Sequence, residues 1–151
     1  MKYNKAMSEP PKSIEPCPVC NFKLFNPIYI FDNSNLVLYN DSRFRGRCIL
    51  SLKKHFDSWE EVNDDAMVAF IKESQQAVKA IKKTTGCTRV NVASLSNSVS
   101  HVHLHLIPRF PDEEEFPNSA PWRDRRIQKE LPENVVSSLI SDILGNILKN
   151  P

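Results

Sequence analysis

No apolar run in this chain of 151 residues approaches the roughly 20 residues that span a bilayer, which argues against a membrane partner. Met1 to Glu15 has no apolar core of about 7–15 residues, so no secretory signal is read there. Neither charge sign dominates. The net charge is +2, too small for a binder that works by neutralising nucleic-acid phosphates. Internal repeats are absent. Cysteine is scarce, with 4 in all. Cys17 and Cys20 form a tight pair, whereas Cys48 and Cys87 lie in apolar surroundings and read as buried small hydrophobes. That usage offers no disulfide framework and fits a reducing, cytoplasmic setting. Histidine is confined as well: of 4 residues, only His55 lies away from the run His101-Val102-His103-Leu104-His105.

What remains is an ordinary globular composition, 40% hydrophobic and 25% charged, of a size for one domain. Residues 1–15 are polar and rich in Pro and Lys and read as a flexible tail; 16–151 read as the single domain. Ile28 to Phe31 and Leu36 to Tyr39 are β-prone runs joined by the turn-rich Asp32 to Asn35, the pattern of a hairpin. Arg47 to Leu52 is a third strand. Ser58-Trp59-Glu60-Glu61 has the form of a capping box. The spacing of Met67, Phe70, Ile71, Val78 and Ile81 predicts a long helix from Asp64 to Thr84, stopped at Gly86. Val90 to Leu95 and His101 to Pro108 are further strands, joined by Ser96-Asn97-Ser98. Arg109 to Glu130 is a long loop, in which Asp112 to Glu115 reads as a solvated acidic run. A last helix, Glu133 to Lys149, would bury Val136, Leu139, Ile140, Ile143 and Ile147. The order predicts an α+β domain with an antiparallel sheet of about five strands and its helices on one face.

On a strand, alternate side chains share a face. His101, His103 and His105 would then line one side while Val102, Leu104 and Leu106 bury on the other. Three readings are open for the imidazoles: a catalytic cleft, a metal site, or a chance cluster on a solvated face. A neutral imidazole attacks phosphorus well when its other nitrogen is held as a donor, usually by a carbonyl. Flanking imidazoles can stabilise phosphoryl oxygens or assist the leaving group. His103, with a neighbour on each side, is the nucleophile candidate, and His101 and His105 are its catalytic partners.

The run His101-Val102-His103-Leu104-His105-Leu106-Ile107 resembles the signature of the histidine-triad (HIT) family. Ile30-Phe31-Asp32, Tyr39-Asn40-Asp41, Leu50 to His55 and Arg89-Val90-Asn91 resemble family blocks in the family's order. The His105 to Arg109 tail resembles the dinucleoside polyphosphate hydrolase side of the family. The resemblance implies a nucleotide-binding homodimer whose sheets join across a two-fold axis. It implies hydrolysis at an α-phosphate through a nucleotidyl-His103 intermediate, on substrates such as diadenosine tetraphosphate. Asp41 aligns with the acidic residue that grips ribose hydroxyls, and Asn91 and Ser98 with polar positions near the phosphate. Asn97 stands where a Gln is common. Trp122 occupies the place of an aromatic residue that reaches the cleft. A phosphoramidate hydrolase with the same nucleophile is the alternative enzyme, and a nucleotide- or zinc-binding module with little turnover is the alternative outside catalysis.

Cys17-x-x-Cys20 has metal-knuckle spacing and needs two more ligands. His55 and His101 are the candidates, and several zinc-containing HIT proteins have a similar arrangement. Four protein ligands would leave no open position, so zinc would be structural, tying the knuckle to the histidine strand. The other reading is a free thiol pair, with His101 supporting His103 directly.

Overall fold

Short runs rich in β-branched and aromatic residues build one antiparallel sheet, the arrangement such pleated, half-buried segments favour. The computed structural model describes residues 8–113 and 119–150. Residues 1–7 of the expected tail, and Glu114 and Glu115 of the acidic run, lie outside the described residues. The strands are β1 (Pro27–Ile30), β2 (Ser34–Leu38), β3 (Cys48–Leu52), β4 (Arg89–Ala93) and β5 (His103–Arg109). Their spatial order is β1-β2-β3-β5-β4, so β5 is inserted between two strands that precede it in the chain. Two helices, α1 (Asp64–Thr85) and α2 (Glu133–Lys149), pack against each other and the sheet. The expected α+β class, five strands and two helices are all present.

Strand alternation divides the sheet into two chemically different faces. Leu36, Leu38, Cys48, Leu50, Leu52, Leu104 and Leu106 join the helices in the core. Each such aliphatic side chain contributes about 1.5–3 kcal/mol when fully buried. The other face carries Ser51 opposite His103, and Ile49 opposite His105. β5 starts two residues later than the periodicity predicts. The N–H of Val102 donates to the Phe56 carbonyl and the Leu52 N–H to the Val102 carbonyl, which ties His101 and Val102 to the end of β3.

Helix α1 is capped by the Asn63 side chain, which accepts from the Ala66 N–H at 3.0 Å. Asp64 and Asp65 sit at its positive end and Lys82 and Lys83 at its negative end. Gly86 ends it with φ 66°, a left-handed conformation that suits glycine. Its buried stripe runs through Phe70, Ser74, Ala77 and Ile81, with Met67 and Val78 only partly covered. Ile71 is 42% exposed, because one residue past Phe70 the helix has turned about 100° from the sheet. Helix α2 buries Leu144 where Ile140 was expected, with Val136, Leu139, Ile143 and Ile147 as predicted. Ser58 does not cap the 3-10 turn Trp59–Glu61; instead Glu61 accepts from the Asp57 N–H at 3.1 Å.

The first hairpin turn is shorter than its composition suggests. The buried carboxylate of Glu73 on α1 accepts from the Asn33 N–H and side-chain amide and from the Ser34 hydroxyl, which draws Ser34 and Asn35 into β2. Among the described residues, no helix is long and apolar enough to cross a membrane.

Candidate active site and metal group

His103 opens β5 and is buried against the Phe22 ring, with ring centroids 5.1 Å apart. Its Nδ1 lies 2.7 Å from the His101 carbonyl. A carbonyl only accepts, so Nδ1 carries a proton, and the neutral tautomer this selects keeps the lone pair on Nε2. The same carbonyl accepts from the Ser96 hydroxyl at 3.3 Å, from a residue held at φ 48°. The strand register places His105 on the same face, with the two imidazole centroids 5.1 Å apart. The arrangement pairs an imidazole held through Nδ1, its Nε2 left without a protein partner among the described residues, with a second imidazole beside it.

His105 faces a charged group that lay unmarked in the sequence. Arg47 Nη2 is 3.2 Å from His105 Nδ1, and its guanidinium lies 4.2 Å from the Tyr39 ring centre. Burial, the Arg47 charge and His103 together push the His105 imidazole down to about 4. Arg47 Nη1 also donates to Asp41 at 3.0 Å. Arg43 grips the same carboxylate with its backbone N–H, Nε and Nη2. Burial alone would raise the Asp41 carboxyl, but the Arg43 hydrogen bonds and both guanidinium charges hold it below the usual carboxylate range. Asp41, expected to accept from ribose hydroxyls, spends both oxygens on arginines and has no exposed side-chain surface.

At the other end of the site, Cys17, Cys20, His55 and His101 bring four ligand atoms within 4.8 Å of one another. His55 Nδ1 and His101 Nδ1 are 3.3 Å apart, Cys20 Sγ is 3.4 Å from His101 Nδ1, and Cys17 Sγ is 3.7 Å from His55 Nδ1. Tetrahedral donors about 2.0–2.3 Å from a zinc ion stand about 3.3–3.8 Å from one another, so the donor set fits. Each histidine points its second nitrogen at an acceptor, as metal-binding imidazoles do: His55 at Asp57 (2.8 Å) and His101 at the Leu52 carbonyl (2.7 Å). Slight burial would raise the Cys17 thiol, yet the backbone N–H groups of Cys20 and Val19, the Cys20 side chain and His55 bring it down to about 7. A thiol that ionises near neutral pH is a ready metal ligand.

The remaining expected positions are more scattered. Asn91 accepts from Arg109 at 2.7 Å, and Asn97 and Ser98 are exposed on the loop before His101. Trp122 is 66% exposed on the 3-10 turn Pro121–Arg123. Within the acidic run, Glu113 is not solvated: it is 5% exposed and pairs with Arg109 at 2.8 Å. Arg126 pairs with Asp124 at 2.7 Å and donates to the Arg43 carbonyl. Cys48 and Cys87 are buried, as expected. A cavity of about 520 Å³ lies elsewhere, between the first hairpin, α1 and the end of α2, lined by Tyr29, Asp32, Lys72, Lys79 and Asn146 but by no histidine.

Comparison with known proteins agrees with this geometry. An uncharacterised HIT-like protein of Methanocaldococcus jannaschii is 28% identical over 88 residues, which cover 54% of this chain and 67% of that protein. A histidine triad protein structure from Sinorhizobium meliloti superposes with a TM-score of 0.72 at 23% identity, covering 80% of this chain and 88% of that one. A zinc-bound histidine triad family protein from Mycobacterium smegmatis gives a TM-score of 0.64 at 16% identity, covering 83% and 87%. The HIT domain model matches residues 26–112, from just before β1 to just past β5. By that match, which takes in the whole sheet, the chain belongs to the HIT family.

Proposed function

We propose that this protein is a nucleotide hydrolase that cleaves at the α-phosphate of dinucleoside polyphosphates of the diadenosine tetraphosphate kind. The observation that carries the reading is the 2.7 Å bond from His103 Nδ1 to the His101 carbonyl, which leaves the opposite nitrogen bare for attack. In the first step Nε2 forms a bond to the α-phosphorus, and the bond from phosphorus to the bridging oxygen breaks. The electron pair leaves with the departing polyphosphate. In the second step a water oxygen bonds to the same phosphorus and gives up a proton to solvent. The N–P bond breaks, its pair returns to Nε2, and a nucleoside monophosphate is released. His105 sits beside the nucleophile, placed to hydrogen-bond a phosphoryl oxygen.

Cys17, Cys20, His55 and His101 would hold a structural zinc. When bound, it fixes the knuckle, and Phe22 with it, against His101 and His103. Asn91, Asn97, Ser98 and Trp122 are the proposed substrate contacts. A ribose hydroxyl at Asp41 would have to compete with two guanidiniums. The proposed homodimer has a natural seam: β4 is an edge strand, and Val68, Ile71 and Val92 are exposed on α1 and β4.

The test is AMP release from diadenosine tetraphosphate. His103→Ala should cut kcat by roughly 10³ or more, and acid quenching of the wild type should trap labelled nucleotide on the protein. A folded His103→Ala variant with normal turnover would remove the covalent step. Nucleotide binding without any release would favour the binding module.

A further inference from the structure

Resting on the hydrolase reading of the same site, we infer that Arg47 is a positioning residue. It fixes His105 as a hydrogen-bond donor with no proton to give away, so the site accepts leaving groups that depart as anions: phosphoanhydrides rather than phosphoramidates.

The argument starts from what a guanidinium can do. Arginine stays protonated and only donates. At 3.2 Å from Arg47 Nη2, His105 Nδ1 must therefore accept. A neutral imidazole with an accepting Nδ1 carries its proton on Nε2. His103 shows the opposite form, with its proton on Nδ1 and held by a carbonyl. Two imidazoles on one strand face are thus set in complementary states, one with a bare nitrogen and the other with an N–H.

Arg47 is well anchored for this task. Its Nη1 is bound to Asp41, its guanidinium lies over Tyr39, and its side chain is only 15% exposed. Asp41 is held in turn by Arg43. The groups that face His105 are Arg47, His103 and, at 6.4 Å, Tyr39. Its cross-strand partners Ile49 and Ala93 carry no charge. The Asp41 carboxylate sits behind Arg47, so the nearest charge His105 meets is positive. Burial, with that charge and His103 added to it, pushes the imidazole down to about 4, neutral at physiological pH.

A neutral N–H can bind a phosphoryl oxygen, but losing its proton would leave an imidazolate. The other histidines of the run offer no replacement. His103 is the nucleophile, and the two nitrogens of His101 face the metal group and the Leu52 carbonyl. A polyphosphate leaves as a stable anion and needs no proton. The amine of a phosphoramidate does, and general acid catalysis is worth about 10²–10⁴ in rate.

Two measurements test this. Long-range ¹H–¹⁵N correlation on histidine-labelled wild type should show His105 with its proton on Nε2 alone between pH 5 and 8. This needs neither a variant nor turnover. The wild type should cleave diadenosine tetraphosphate with kcat/KM about 100-fold above an adenosine phosphoramidate. Arg47→Met should give His105 mixed protonation and narrow that ratio about tenfold, with the phosphoramidate gain larger at pH 6 than at pH 8. A merely structural Arg47 would change stability but neither the tautomer nor the ratio, and that result overturns the inference. So does a wild-type His105 protonated on Nδ1, or equal cleavage of the two substrates. Turnover of neither substrate removes the hydrolase reading together with the leaving-group selection, while the tautomer still decides the role of Arg47.

Discussion

Removing metal from the Cys17–Cys20–His55–His101 group should loosen the fold by an amount the chain connectivity sets. Cys17 and His55 are separated by 38 positions, and a ligand holding both acts as a cross-link. By the loop-entropy relation for disulfides, closing a segment of that length takes about 4 kcal/mol from the unfolded chain's advantage. The knuckle's own backbone bonds, Cys17 N–H to Phe22 and Asn21 N–H to Cys17, are internal and do not anchor it to the sheet. Outside the ligands, ring contacts from Phe22 to His101 and His103 hold it there. For a chain of this size 1 kcal/mol corresponds to about 2–4 °C, so chelation should lower Tm by roughly 10 °C. Calorimetry before and after treatment with a strong zinc chelator, with metal content measured on the same samples, reads this directly. A Cys17→Ser/Cys20→Ser variant should melt at the chelated value and ignore the chelator. Zinc-supplemented protein that takes up no metal would refute the reasoning. So would protein stripped of metal that melts unchanged.

Other consequences follow from charge and backbone. Because His105 is pushed down from 6.5 to about 4, the unfolded chain binds the extra proton between those values. The stability this group contributes is therefore complete above pH 6.5 and lost as pH falls toward 4, up to about 3 kcal/mol. Denaturant unfolding of His105→Gln against pH should show a flatter acid slope than wild type; an identical slope would contradict the burial of the neutral ring. Gly145 lies inside α2 with open space where a Cβ would go, so Gly145→Ala should stabilise by about 0.5–1 kcal/mol in urea titrations. Gly86→Ala, at φ 66°, should destabilise by about 1–2 kcal/mol.

Periodic features were legible in the sequence because they depend only on local spacing. The bounds Glu133 and Lys149 of α2 could be read from its apolar repeat, and the burial of Val102, Leu104 and Leu106 from strand alternation. The cluster of Cys17, Cys20, His55 and His101 was legible from residue type, since Cys and His are rare enough here to select one another. Charged pairs were not. Arg47 meets His105 across 58 positions, and nothing in Arg43-Phe44-Arg45-Gly46-Arg47 tells which guanidinium turns inward. Glu73 reads as one more charge on a helix until the hairpin turn brings three donors to it. Glu113 looks solvated within an acidic run and is buried because the end of β5 delivers Arg109 beside it. The sheet order supplies the partner of Arg47, packing of α1 on the hairpin turn that of Glu73, and the turn after β5 that of Glu113, none of which local composition encodes.

That order has a consequence during synthesis. Until residue 109 leaves the ribosome, β3 has no neighbour on the side that β5 will occupy, because β4 emerges earlier yet lies beyond the gap. A nascent chain halted before that point leaves one edge of Cys48 to Leu52 open, its other edge being paired with β2, and an open edge of this kind recruits other chains. Entry of the histidine segment therefore does two things in one event: it covers the open edge of β3 and brings His103 and His105 onto one face of the sheet, so a product cut short before it lacks both.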